Sequence, residues 1–141
     1  MKKAANSSIS LKDIHITDNF WRKYIKLVKD VIIPYQWDIL NDKLEGVETS
    51  HCIENFRIAA GESQGEYYGA VFQDTDVAKW LEAVGFVLNY ERDEGLERLA
   101  DETIDLIGRA QQPDGYLNTY FTIKEPEMRW SNLMEGHELY T

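Results

Sequence analysis

The sequence predicts an all-α protein, and three observations carry that prediction. Apolar side chains recur at spacings of three and four over residues 17–42, 73–93 and 94–112, as they do on one face of an amphipathic helix. The link between the second and third stretches is very short, so these two helices should form an antiparallel hairpin. The connections 44–72 and 116–135 are long and keep no sustained period. We therefore expect helical hairpins joined by long, aromatic-rich loops.

The chain should open with an N-terminal arm, residues 1–16, that includes a short strand. Leu11, Ile14 and Ile16 stand among polar residues in a largely alternating pattern, which favours an extended segment. The arm precedes a single helical domain that we place at 17–141.

The first helix is predicted over 17–42. Thr17 or Asp18 can cap its N-terminus, because both residue types offer a side-chain oxygen to the free backbone N–H groups. One apolar stripe runs along it through Trp21, Tyr24, Ile25, Val28, Ile32, Tyr35 and Ile39. Pro34 lies inside the pattern and lacks a backbone donor, so the helix should kink or break near Ile33.

The second helix is predicted over 73–93, after a connection that forms a helical turn at about 53–60. Asp74 or Thr75 can cap the helix, and Asp76 in the first turn suits the helix dipole. Its apolar stripe consists of Val77, Trp80, Leu81, Val84 and Leu88, widened by Phe86 and Val87. Such a wide stripe predicts burial on more than one side.

The third helix is predicted over 94–112, with acidic residues and arginines opposite its apolar face. That face consists of Leu96, Leu99, Ala100, Thr103, Leu106, Ile107 and Ala110. The Pro-Asp-Gly sequence at 113–115 then ends the helix with turn-forming residues. Residues 136–141 are predicted to form the first turn of a fourth helix.

Composition narrows the classes of protein. The 141 residues carry a formal net charge of −10, which disfavours nucleic acid and anionic membranes as partners. No apolar run reaches the length of a membrane-spanning helix, and no apolar segment follows Lys2 and Lys3, so we expect no secretory signal and a cytoplasmic location. The single cysteine, Cys52, excludes an internal disulfide and a multi-cysteine zinc site within these residues.

Several side chains are candidates for a functional site. His137-Glu138 resembles the start of the zincin signature, but that signature needs a second histidine where the chain has Thr141. Asp74 and Asp76 are either a carboxylate pair near a substrate or, as we favour, a helix cap and a dipole partner.

Aromatic residues are frequent in the loops, where they could stack on sugar rings or pack locally. The sequence leaves both interpretations open for Tyr67, Tyr68, Tyr116, Tyr120 and Trp130. His137 could likewise bind a ligand oxygen or cap a helix. Cys52 is interpreted as incidental, because nothing in the sequence places a base beside it.

Five segments together resemble one family. They are "FWRKYIKLVKDVIIPYQWDIL", "ENFRIAAG", "FQDTDVAKWLEAVGFVL", "AQQPDGYLNTYF" and "RWSNLMEGHELY". In this order they are similar to the N-terminal part of glycoside hydrolase family 127, the bacterial β-L-arabinofuranosidase family that was formerly a domain of unknown function. The resemblance covers roughly residues 17–140.

The resemblance implies an (α/α)6 barrel followed by β-sandwich domains, and retaining hydrolysis of terminal β-L-arabinofuranosyl groups. It implies a cysteine nucleophile near a zinc ion and a glutamate acid/base, none of which matches a residue of this chain. His137 would belong to the sugar-binding pocket, and Asp74, Asp76 and Tyr116 would lie at the pocket end of the barrel. The expected partner is a carbohydrate, with zinc held by the full-length protein and by no residue of this chain.

Twelve barrel helices with their connections need on the order of 200 residues, so this chain supplies about a third of a barrel. We therefore expect the N-terminal portion of a longer hydrolase, catalytically incomplete by itself. Two alternatives stay open: a non-catalytic helical module that forms a homo-oligomer through uncovered helix faces, and a different (α/α)6 carbohydrate enzyme such as a lyase or an epimerase.

Overall fold

The computed structural model describes residues 9–139, and every regular element in that range is helical. The α-helices are α1 (Asn19–Leu27), α2 (Ile33–Leu40), α3 (Cys52–Ala59), α4 (Asp74–Tyr90), α5 (Glu94–Ala110) and α6 (Thr119–Ile123). A π-helical segment, Val28–Ile32, joins α1 to α2. The predicted all-α class is confirmed. None of the described helices is both long and apolar enough to cross a bilayer.

The predicted strand in the arm is wrong for the described residues 9–16, while residues 1–8 lie outside them. Leu11–Asp13 form a single 3-10 turn, in which the Ser10 hydroxyl accepts a hydrogen bond from the Lys12 N–H at 3.4 Å. The backbone becomes extended only at Ile14. The turn forms because a local side-chain acceptor is at hand, whereas an isolated strand has no neighbour to pair with.

Asp18 caps α1 as predicted, and Pro34 disturbs the helix where expected. The Asp18 carboxylate accepts hydrogen bonds from the N–H groups of Phe20 and Trp21, at 3.0 and 2.8 Å. The helix does not break at Pro34. Instead the Ile33 N–H donates to the Val28 carbonyl, five residues back, and the chain continues directly into α2. A π-helical turn thus accommodates the proline.

The apolar stripe predicted for the first helix is largely uncovered. Trp21, Tyr24 and Tyr35 are exposed, and the buried residues of this helix are Ile33 and Leu40. The covered face of α2 is the one that meets α4, and only part of the stripe lies on it. The periodicity of apolar residues predicts a helix with an apolar face, but it does not show which face packs against another helix.

The core is centred on α4. The Trp80 side chain is 2% exposed, and its indole lies 4.4 Å from that of Trp37, measured between ring centroids. The Trp80 Nε1–H donates to the Ile33 carbonyl at 3.1 Å. Helix α5 returns beside α4, and its predicted apolar face is buried at Ala100, Thr103, Leu106 and Ala110. The helical hairpin is confirmed.

An open apolar cleft of about 750 Å³ lies between α1 and α4. It is lined mainly by Leu11, Trp21, Tyr24, Ile25, Val28, Ala83, Phe86, Val87 and Tyr90. Phe86, predicted to widen a buried stripe, is 58% exposed at this cleft. Only Val87 of that predicted extension is buried.

We expect the 141-residue chain, prepared alone, to self-associate because this apolar cleft is uncovered. Sedimentation velocity over a concentration series should show a species heavier than the monomer. The double variant Trp21→Glu/Phe86→Glu should shift the equilibrium towards the monomer. Ile104→Glu is the control, because Ile104 is an exposed apolar residue of α5 outside the cleft lining, and this variant should self-associate like wild type. A monodisperse wild-type monomer at all concentrations would refute the expectation.

Candidate functional site

Asp74 does not cap α4, contrary to the interpretation that we favoured from the sequence. It is the first residue of the helix, and its carboxylate is 6% exposed. The Thr119 N–H and the Thr119 hydroxyl both donate to it, at 2.6 and 2.5 Å. Burial raises the pKa of Asp74, and the two bonds from Thr119 oppose that shift. The carboxylate joins the start of α4 to the start of α6.

Asp76 occupies the first turn of α4, as predicted, but on its exposed side. Its carboxylate lies 3.2 Å from Lys79 Nζ, three residues along the same helix. Asp74 is buried against Thr119 and Asp76 faces solvent. The two carboxylates therefore share no hydrogen-bond partner.

Tyr116 lies in a buried polar contact that the sequence did not reveal. Its hydroxyl donates to Glu138 Oε2 at 2.5 Å, and the Trp130 N–H donates to Glu138 Oε1 at 2.8 Å. The Arg129 guanidinium lies 4.2 Å from the centre of the Tyr116 ring. Burial, and then the Glu138 carboxylate, raise the pKa of the Tyr116 hydroxyl, so it stays protonated and donates.

A cavity of about 420 Å³ borders this contact. Its lining consists of Gln111, Asp114, Gly115, Tyr116, Leu117, Trp130 and Glu138. The Tyr116 and Trp130 rings meet edge to face, with centroids 5.1 Å apart. Trp130 is 55% exposed, so its indole is accessible beside a polar cavity. An accessible aromatic face next to hydrogen-bonding groups is suited to a sugar ring.

His137 borders a second cavity, of about 620 Å³. The other lining residues are Phe72, Thr75, Ala78, Lys79 and Glu82. The His137 and Phe72 rings lie 5.2 Å apart, edge to face. His137 has a left-handed backbone, with φ at 53°, so the predicted helical turn does not include it. Residues 140 and 141, the rest of that predicted turn, lie outside the described residues.

Neither of these two cavities brings the four predicted site residues together. His137 borders the cavity beside α4, and Tyr116 borders the cavity beside Trp130. Asp74 is buried between helices, and Asp76 lies on the exposed face of α4. His137 and Tyr116 are nevertheless linked, because Glu138 follows the histidine in the chain and accepts the tyrosine's hydrogen bond.

Cys52 begins α3 and is 1% exposed. Its sulfur lies 3.3 Å from the Gln73 side-chain nitrogen, and burial raises the pKa of its thiol. A buried thiol with a raised pKa is a poor nucleophile, which supports the incidental interpretation. No group of three or more His, Cys, Asp or Glu side chains within 9–139 is arranged to hold a metal ion.

The aromatic loop residues divide by burial. Tyr67 is buried, its hydroxyl donates to the Ala70 carbonyl, and its ring packs edge to face on Tyr120. Tyr120 in turn donates to Glu125 at 2.9 Å. These two tyrosines serve local packing, whereas Tyr68 and Trp130 stay exposed.

The sequence did not reveal the roles of two further residues of this region. Glu138 is noted there only as part of the zincin-like pair, and its hydrogen bonds gave no signal because the partners are 8 and 22 residues away. Asn118 did give one, since an asparagine before an apolar segment is a typical helix cap. Its Oδ1 accepts from the Phe121 N–H at 3.0 Å at the start of α6.

The chain was compared with known proteins. A family model described as "Beta-L-arabinofuranosidase, GH127 catalytic domain" matches residues 13–141. A curated non-reducing end β-L-arabinofuranosidase of Bifidobacterium longum subsp. longum is 39% identical, over 91% of this chain and 22% of that protein.

Two solved structures share the fold. A GH127 β-L-arabinofuranosidase from Geobacillus stearothermophilus T6 superposes with a TM-score of 0.89 at 63% identity, over 91% of this chain and 20% of that chain. A second GH127 β-arabinofuranosidase gives a TM-score of 0.81 at 29% identity, over 94% of this chain and 21% of that chain. The chain thus spans about a fifth of the length of these relatives. With the family model matched over nearly its whole length, the chain belongs to the GH127 β-L-arabinofuranosidase catalytic-domain family.

Proposed function

We propose that this chain forms a sugar-binding part of a retaining glycoside hydrolase that acts on terminal β-L-arabinofuranosyl or related sugars. One observation carries the proposal: in a chain of the GH127 family, His137 packs edge to face on Phe72, and both residues line an open cavity. In the whole protein, we propose that α1 to α5 form part of an (α/α)6 barrel.

The chemistry of this cavity suits a pentose. The His137 imidazole can exchange hydrogen bonds with a sugar hydroxyl, and the exposed Phe72 ring offers a face to the apolar C–H side of the sugar. Lys79 and Glu82 line the same cavity and supply a donor and an acceptor. A few polar groups beside an apolar surface are typical of small-ligand sites.

No nucleophile or acid/base is assigned to this chain. In retaining hydrolysis a nucleophile attacks the anomeric carbon while an acid protonates the leaving oxygen, and water then releases the sugar. Cys52 is too buried for the first role, and Glu138 uses both carboxylate oxygens within the protein. The described residues also offer no set of zinc ligands.

The test is a titration of the 141-residue chain with methyl β-L-arabinofuranoside, followed through the ring signals of its three histidines by NMR. The His137 signal should shift with a dissociation constant on the order of 1 mM, as expected for a small ligand held by few contacts. His137→Asn should abolish saturable binding. Asparagine is the suitable replacement because it tolerates a left-handed backbone.

His15→Asn is the matched control, because His15 is exposed in the arm and lines neither cavity. The α-anomer of the same glycoside should bind more weakly. The chain alone should release no nitrophenol from 4-nitrophenyl β-L-arabinofuranoside. Hydrolysis by the chain would contradict catalytic incompleteness, and an unshifted His137 signal at saturating glycoside would contradict the sugar site.

A further inference from the structure

The loop that carries His137 contains two non-glycine residues with left-handed backbones. Trp130 has φ at 62° and His137 has φ at 53°. Such residues persist where their surroundings hold them, because the conformation costs about 1–2 kcal/mol for most side chains. The contacts of the neighbouring residues show what holds them.

The Glu138 carboxylate ties the two left-handed positions together. Glu138 is 4% exposed, and both of its carboxylate oxygens accept hydrogen bonds. One bond comes from the backbone N–H of Trp130, the first left-handed residue. The other comes from the hydroxyl of Tyr116, which lies in the turn after α5. The carboxylate therefore fixes the residue after His137 to two separate segments.

Gly136, the residue before His137, is held in place by its own contacts. Its N–H donates to the Asn132 carbonyl at 2.8 Å, and a Cβ built on it would lie 2.8 Å from that same oxygen. Such a Cβ would also lie 3.1 Å from the Phe121 ring and 3.3 Å from Glu138 Oε1. His137 thus lies between two neighbours that hydrogen bonds hold in place, and its ring packs edge to face on Phe72.

We propose that Glu138 is a positioning residue for His137, holding the imidazole at the cavity beside α4 through its bonds to Tyr116 and Trp130. The contact also couples the two cavities, because Tyr116 and Trp130 line one of them and His137 lines the other. The effect of Glu138 on sugar binding rests on the proposed function. The effect of Glu138 on the orientation of His137 does not.

The test measures His137 directly, through the nuclear Overhauser effect between its ring protons and those of Phe72 in the 141-residue chain. Tyr116→Phe removes one bond to Glu138, and Glu138→Ala removes both. We expect the ring–ring signal to weaken in the first variant and to be lost in the second. Glu138→Gln should retain it, since an amide can donate to the Tyr116 oxygen and accept from the Trp130 N–H.

Tyr120→Phe is the matched control, because it removes the hydroxyl from another Tyr–Glu hydrogen bond that involves no residue of 136–138. It should leave the His137–Phe72 signal unchanged. An unchanged signal in Tyr116→Phe, or an equal loss in Tyr120→Phe, would overturn the proposal. Tyr116→Phe keeps the test decisive if Glu138→Ala fails to fold.

Sugar titrations separate this proposal from the proposed function. If both hold, Tyr116→Phe should weaken binding of methyl β-L-arabinofuranoside by about tenfold, because the imidazole must be ordered again on binding. If wild type shows the ring–ring signal and its loss in the variants but binds no sugar, the positioning role stands and the sugar site fails. If wild type binds sugar and the variants bind equally with the signal intact, the sugar site stands and the positioning role fails.

Discussion

Trp80→Ala is expected to lower the free energy of unfolding by about 3–5 kcal/mol, the range typical of a large aromatic side chain removed from a core. The indole is 2% exposed and packs against Trp37. Its N–H also donates to the Ile33 carbonyl. Loss of the ring would leave a cavity at the junction of α2 and α4, where the two helices pack against each other. Urea unfolding followed by far-ultraviolet circular dichroism measures the change independently of tryptophan fluorescence.

Two further variants test whether burial of the indole causes the loss of stability in Trp80→Ala. Trp80→Phe keeps an aromatic ring but removes the N–H donor, so it should cost less than the alanine variant. Trp21→Ala removes an indole that is 59% exposed, and it should change stability by only about 0.5 kcal/mol. Equal losses in Trp21→Ala and Trp80→Ala would mean that the core is not centred on α4.

Asp74→Ala is expected to cost about 2–4 kcal/mol, because it leaves the Thr119 N–H and hydroxyl buried without their acceptor. Thr119 is fully buried, so water cannot readily replace the carboxylate. Asp74→Asn keeps one acceptor oxygen at the same place and should cost much less near neutral pH. The same urea unfolding experiment measures both variants.

The pH dependence of the Asn variant gives a sharper test of the same contact. Burial raises the pKa of Asp74 above its unfolded value of about 3.9. A carboxyl with a raised folded-state pKa contributes stability that is fully present below the unfolded pKa and is lost as pH rises through the folded pKa. Relative to wild type, Asp74→Asn should therefore become more stable as the pH is raised from about 4 towards neutral.

The stability of Asp93→Asn relative to wild type should change with pH in the opposite direction. Hydrogen bonds from the backbone N–H groups of Leu96 and Gly95 lower the pKa of this helix-capping carboxylate. The stability that it contributes is present above its unfolded pKa and is lost as pH falls through the folded pKa. The cost of Asp93→Asn should therefore shrink on acidification. Parallel pH profiles for wild type and Asp74→Asn would contradict the expected rise, because they would mean that the pKa of Asp74 is the same in the folded and unfolded protein.

The helices could be predicted because the interactions that specify them are local. Asp18, a predicted cap, lies two and three residues from the N–H groups that it caps. The buried face of α5 follows the spacing of its apolar side chains, as predicted. The effect of Pro34 also appeared at the predicted place, since the missing donor is a property of that residue alone.

The candidate site could be predicted only in part. His137 was found through a motif, and the structure places it at an open cavity. An aspartate at a helix start predicts a local cap, whereas the Asp74 carboxylate accepts its hydrogen bonds from Thr119. Glu138 was considered only as part of a metal signature, although its two bonds fix the loop around His137.

By itself, the sequence determined that this protein is helical, where its main helices begin and end, and which family it resembles. Those features depend on residues within about four positions of one another, or on ordered motifs that are visible in the chain. Tertiary structure alone decided that Asp74 binds Thr119, 45 residues away, and that Tyr116 binds Glu138, 22 residues away. It also decided that the stripe of α1 is uncovered while the side of α2 that meets α4 is buried. Periodicity shows that a helix has an apolar face, but burial and hydrogen bonding depend on which distant group lies against it.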